Sequence, residues 1–140
     1  MNCTDEPYKV PAPGMAADPV RTPAELDRMA ARARGVEKAR RRKEAARARW
    51  ALLNRFIDDG MAGLKPADAA VWFALFRHAR ADGVATVARA RLETVTGRER
   101  KTITAALSRL AAAGWIERLR RGGPSGGMAV YRVTAPEKVG

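Results

Sequence analysis

Between Arg98 and Arg109 the chain carries Arg98, Arg100, Lys101, Thr102, Thr104, Ser108 and Arg109, a run of cationic and hydroxyl side chains. Guanidinium and ammonium groups donate to anionic oxygens. An Arg fork also matches O6 and N7 of guanine, a contact giving on the order of 1 to 3 kcal/mol of base discrimination. A second basic group, Arg118, Arg120, Arg121 and Arg132, flanks the Gly-rich stretch Gly122 to Gly127, and a third set is Thr86, Arg89 and Arg91. From Val84 to Val133 there are 10 basic and 3 acidic residues. A merely solvated helix face, with Glu99 as local counterion, is the plain alternative. Four basic clusters within one short supersecondary unit favour a polyanion instead.

Catalytic chemistry has little to work with. Cys3 is the one cysteine and His78 the one histidine, so a single chain assembles neither a disulfide framework nor a Cys/His zinc site. His78 lies between Arg77 and Ala79 with no carboxylate near it in sequence. The two serines, Ser108 and Ser125, are accounted for by the basic helix and the Gly-rich loop. Tyr131 sits in a strand-like segment and Tyr8 in a Pro-rich tail, neither amid the His or Arg cluster that a tyrosine nucleophile needs. The glycines of 122 to 127 lack the Gly-Lys-Ser/Thr signature of an NTPase and precede a strand rather than a helix. No enzyme activity, cofactor, metal or small-molecule ligand is expected.

The formal charge of +12 divides into −2 for residues 1–20, +7 for 21–50 and +7 for 51–140. Each neutralised phosphate releases condensed counterions, so a chain of this charge gains salt-dependent affinity for nucleic acid. Compositional drift toward Arg and Ala in a GC-rich genome would also raise the charge, which leaves the arrangement of the basic residues to decide. No apolar run approaches the ~20 residues of a membrane span, and no apolar signal region opens the chain. A cytoplasmic, nucleoid-associated protein is the expectation.

The elements that must position these side chains follow from periodicity and breakers. Pro7, Pro11, Pro13 and Pro19 leave residues 1–21 little to bury, and that tail reads as disordered. Thr22-Pro23-Ala24-Glu25 has the form of a capping box and starts a helix, with Gly35 its weak point. Leu26, Met29, Ala33 and Val36 follow heptad spacing, but the pattern dies at Arg40 to Lys43, too short for a coiled coil. From Trp50 the character changes: Trp50, Leu53 and Ile57 share one face with Leu52 and Phe56 beside them, and Asp58-Asp59-Gly60 ends the helix. Pro66 opens the next, running to about Ala81, with Ala69, Trp72, Phe73 and Phe76 as one stripe and Val71 and Leu75 as another. Trp50, Trp72 and Trp115 all sit at core spacing among apolar neighbours.

Asp82-Gly83 turns the chain into a short strand, Val84 to Thr86, then a helix of roughly Val87 to Thr94 closed by Gly97. A further helix, Glu99 to Ala113, presents Ile103, Leu107 and Leu110 at i, i+4, i+7, with Gly114 behind it. Trp115 to Arg121 and Met128 to Val133 alternate as two strands around a loose hairpin tip. With Ile103, Leu107 and Leu110 turned inward, Arg100, Lys101, Thr104 and Ser108 face outward.

The stretches Ala88 to Gly97, Arg100 to Ile103, Leu107 to Leu110, Gly114 to Ile116 and Tyr131 to Val133, in that order, resemble a bacterial winged helix-turn-helix domain. Such domains occur in transcriptional regulators and plasmid replication proteins. The resemblance covers about 70 to 90 residues. It implies a mainly α fold with a small β-hairpin, of order α-β-α-α-β-β, preceded by an extra N-terminal helix and a disordered tail. It also implies that the helix from Glu99 to Ala113 enters the major groove of double-stranded DNA while the hairpin, or wing, rests on the backbone or minor groove. The recognition set is then Arg98, Arg100, Lys101, Thr102, Thr104, Ser108 and Arg109. The wing set is Arg118, Arg120, Arg121 and Arg132, and Thr86, Arg89 and Arg91 hold the backbone. Tyr131 falls where the family has an aromatic packing residue.

The domain limits expected are 1–21 for the tail, 22–44 for a basic helical arm, 45–135 for the folded domain and 136–140 for a flexible end. Arg40, Arg41, Arg42 and Lys43 form an accessory basic block for which DNA contact, dimer contact and solvation are open. Sequence-specific or semi-specific DNA binding is the expected function, in a regulator or a plasmid maintenance accessory protein. A winged-helix adaptor whose arm binds RNA or an acidic partner is the alternative. Reading a palindromic site requires two copies, and the helices before Pro66 are the expected homodimer contact.

Overall fold

The computed structural model describes residues 20–123 and 127–137. The disordered reading of the tail falls almost wholly on residues 1–19, outside the described residues, as do the hairpin tip at 124–126 and the last residues, 138–140. The chain is mainly helical with one small antiparallel sheet. It divides into two units between Lys38 and Ala39.

Helix α1 spans Pro23–Arg55. It begins on the capping box that the sequence foretells: the Thr22 amide donates to Glu25 Oε2 at 2.8 Å, and the Glu25 amide donates to Thr22 Oγ1 at 3.2 Å. Gly35 does not break it. One glycine costs about 1 kcal/mol relative to Ala, and the Ala- and Arg-rich turns around it have the propensity to carry the helix through. No residue of α1 is fully buried.

Asp58-Asp59-Gly60 does not end the helical path as expected. Phe56–Gly60 form a π-helical turn, in which the Met61 amide donates to the Phe56 carbonyl, and Met61–Gly63 continue as a 3-10 turn. The wide turn brings Phe56 and Gly60 inward, and both are buried. Trp50 and Ile57 do not join them: Trp50 is 64% exposed, against the core position its spacing predicts. The stripe on α1 is broader than the surface available to cover it, so only its Phe56 side, flanked by half-buried Leu52 and Leu53, packs inward.

Helix α2, Pro66–His78, stops three residues before the expected Ala81. Both of its stripes are used: Val71, Trp72, Ala74 and Leu75 are buried, while Ala69 and Phe76 pack partly against the same core and Phe73 stays at its edge. Trp72 stacks on Phe56 at 3.8 Å between ring centroids with planes 3° apart, and its indole Nε1 donates to the Trp115 carbonyl at 3.2 Å. Trp115 meets Phe56 edge-on at 5.3 Å. This aromatic cluster ties the end of α1, helix α2 and the approach to the hairpin together.

Gly60 lies under that cluster. A Cβ there would sit 2.6 Å from Trp115 Cζ2 and 2.7 Å from Cε2, closer than real atoms approach. Gly60→Ala is therefore expected to displace the indole and destabilise the protein by about 1 to 3 kcal/mol, read as a lower urea midpoint at unchanged slope. A midpoint equal to wild type would show that the ring has room to move.

Strand β1 is Val84–Val87, and helix α3, Arg89–Thr96, starts two residues later than periodicity predicts because Val87 completes the strand. Gly97 ends α3 with φ +67°, and Gly114 ends helix α4, Arg100–Ala113, with φ +86°, the left-handed caps that glycine adopts without steric cost. Strands β2, Ile116–Arg120, and β3, Ala129–Val133, complete a sheet of order β1-β3-β2. Val84 pairs with Arg132 and Val87 with Ala129, while Ile116 pairs with Val133 and Arg118 with Tyr131. An irregularity between Arg118 and Arg120 shifts the register. Ile103, Ala106, Leu107 and Leu110 of α4 share a single core with Tyr131 and Val133 of β3 and with α2.

Among the described residues no helix is long and apolar enough to cross a membrane.

Candidate nucleic-acid interface

Helices α3 and α4 are joined by Gly97, Arg98 and Glu99 alone, a tight turn that fixes their mutual angle. Since Ile103, Ala106, Leu107 and Leu110 are buried, the opposite face of α4 carries Arg100, Lys101, Thr104 and Ser108 into solvent, with Arg98 exposed in the turn. Thr102 is half-buried. Arg89, at the start of α3, reaches across to donate to Thr104 Oγ1 at 3.0 Å. Thr104 in turn donates to the Arg100 carbonyl at 2.9 Å, so its hydroxyl ties the two helices before any partner arrives.

Between this helix pair and the β2–β3 hairpin lies a cleft of about 440 Å³. Arg89 and Arg100, with Ala88, line one side; Gly122, Gly123, Gly127, Met128 and Ala129 line the other. Both charged residues of the lining are cations. Gly123 and Gly127 pair across the hairpin, the Gly123 amide donating to the Gly127 carbonyl at 3.4 Å, which closes the hairpin beyond the strands. A backbone without side chains lets a polyanion come close.

The remaining basic residues divide. Arg91 and Thr86 are exposed, as are Arg120 and Arg121. Arg118 is half-buried with its guanidinium 5.9 Å from the centroid of the Tyr131 ring, and Arg132 pairs with Glu117 at 3.3 Å. Arg40, Arg41, Arg42 and Lys43 are exposed on α1, where Arg40 bonds Glu44 at 2.8 Å, and none lines the cleft.

Arg109, placed with the recognition set by its position, is paired inside the fold. Its Nε lies 3.0 and 2.9 Å from the two carboxylate oxygens of Asp68, and its Nη2 lies 2.7 Å from Oδ1, a two-pronged clasp between α4 and α2. Asp68 is fully buried and also accepts from the Lys65 amide at 3.3 Å, as an N3 acid does at a helix start. The bonds to Asp68 raise the pKa of Arg109 above its ordinary value against a smaller opposing effect of burial. Sequence reasoning gave Asp68 no part in an ion pair, because its partner is 41 residues away. Met128 and Ala88 also escaped it as cleft residues, since apolar and small side chains carry no chemical signal.

Among the described residues no group of three His, Cys, Asp or Glu side chains is placed to hold a metal ion. The chain matches no known family model, no curated protein and no solved structure.

Proposed function

We propose that the protein binds double-stranded DNA as a winged helix-turn-helix, with α4 in the major groove and the β2–β3 hairpin as a wing along the backbone. The observation that carries this reading is the cleft whose charged lining, among the described residues, is Arg89 and Arg100, faced by the glycine backbone of the hairpin. Its cationic and glycine lining suits a phosphate-sugar strand passing between helix and hairpin. Arg98, Arg100, Lys101 and Ser108 then stand over the groove, where base edges are read. Arg89, Arg91 and Arg121 hold phosphates and set the register without carrying sequence information. The role in the cell is that of a transcriptional regulator or a plasmid maintenance accessory protein.

Anisotropy of a labelled random duplex, titrated with the full chain across salt concentrations, tests it. Binding should weaken steeply with salt, each phosphate contact adding about 0.9 to the log-log slope. Selection from random duplexes should then enrich a short motif. A flat salt response, or retention of acidic protein but not DNA, would overturn the reading in favour of an adaptor.

A further inference from the structure

The part of α1 beyond Ala39 leaves an apolar row without cover. Trp50 is 64% exposed and Ile57 46%, seven residues apart and thus about 10 Å apart along one face, with half-buried Leu53 between them. Met61, 42% exposed, follows the π-helical turn. Isolated apolar residues at a surface are ordinary, but an exposed Trp and an exposed Ile in one row bordering the core form a patch.

The charges around this row are arranged with opposite signs at its two ends. Arg47 stands before it and Asp58 after it, both exposed. Two such helices laid antiparallel, with Trp50 of each against Ile57 of the other, bring each Arg47 within a turn of the opposing Asp58. They also carry Lys43 and Arg40 past the end of the opposing helix. Laid parallel, Arg47 and Lys43 would each lie beside their own copies and repel. The pattern is self-complementary under a two-fold axis perpendicular to the helix and not under one that runs along it.

We infer that the row Trp50–Leu53–Ile57 is the seam of an antiparallel two-fold homodimer formed by α1 with a second copy of this chain. The seam is short, so the dimer is weak, with a Kd on the order of 10 to 100 µM. It does not depend on DNA binding.

Sedimentation equilibrium of the full chain without DNA, from about 5 to 500 µM, should show a monomer–dimer equilibrium in that range. Trp50→Glu, which alters an exposed residue, should leave the far-UV circular dichroism unchanged and abolish the dimer. Arg47→Glu and Asp58→Arg should each weaken association by roughly fivefold, and the two combined in one chain should restore it. A monomer at the highest concentration, or a dimer indifferent to Trp50→Glu, overturns the proposal. Failure of the combined variant to recover overturns its antiparallel geometry.

Discussion

Replacing Arg98, Arg100 and Lys101 together by Ala is expected to weaken binding to duplex DNA by a hundredfold or more at fixed moderate salt. The three side chains are exposed in the turn before α4 and in its first turn. Each carries a charge directed away from the buried row Ile103, Leu107 and Leu110. If each makes a contact of about 1 kcal/mol or more, their joint loss reaches roughly two orders of magnitude, and the salt slope falls by up to about 0.9 per lost phosphate contact. Stability should change by no more than about 0.5 kcal/mol, since nothing buried is touched. Arg89→Ala should weaken binding less while loosening α3 from α4, because its bond to Thr104 disappears too. An unchanged slope in the triple variant would remove α4 from the interface.

Arg109→Met is expected to do the reverse: lower Tm by about 10 °C while leaving the DNA salt slope near wild type. Asp68 is wholly buried and Arg109 is 37% exposed, so water screens one end of the pair only. Removing the Arg leaves a carboxylate inside the protein with one remaining donor, the Lys65 amide. Stranding a buried charge is among the more damaging single changes, and in a domain of this size a loss of even the lower expected magnitude appears as a shift of this order. Adding Asp68→Asn to Arg109→Met removes the stranded charge and keeps an acceptor for Lys65, so Tm should recover most of the loss. A single variant with unaltered Tm would show that the pair contributes nothing net. A reduced salt slope in that variant would return Arg109 to the binding surface.

The two results together separate cations that look alike in sequence. Arg100 and Arg109 stand nine positions apart on one helix, the first between Glu99 and Lys101 and the second between Ser108 and Leu110. Helical periodicity alone places neither in the buried row. What divides them is a carboxylate on α2, brought beside Arg109 only when α2 and α4 pack.

Local chemistry settled much of the rest. The capping box at Thr22 and Glu25, the glycine caps at Gly97 and Gly114, and the inward row Ile103, Leu107, Leu110 are all legible in the sequence. Each depends on residues within a turn or two of one another, so propensity and periodicity suffice. In β3 the alternation of a strand buries Tyr131 and Val133 and exposes Arg132.

Long-range packing settled what the sequence left open. Trp50 has the spacing of a core residue yet is exposed, because the inward side of α1 is filled by Phe56, which Trp72 and Trp115 enclose. The π-helical turn at Phe56–Gly60 has no signature in its own residues; it accompanies the close seating of Gly60 against the Trp115 indole. The cleft is a relation between Arg89, Arg100 and glycines at 122, 123 and 127, which no stretch of chain contains by itself. The basic character of the surface was thus determined by the sequence alone. Which cations are exposed beside the hairpin, and which is bound to Asp68, was decided by tertiary packing, because charge is a property of each residue and its partner is a property of the fold.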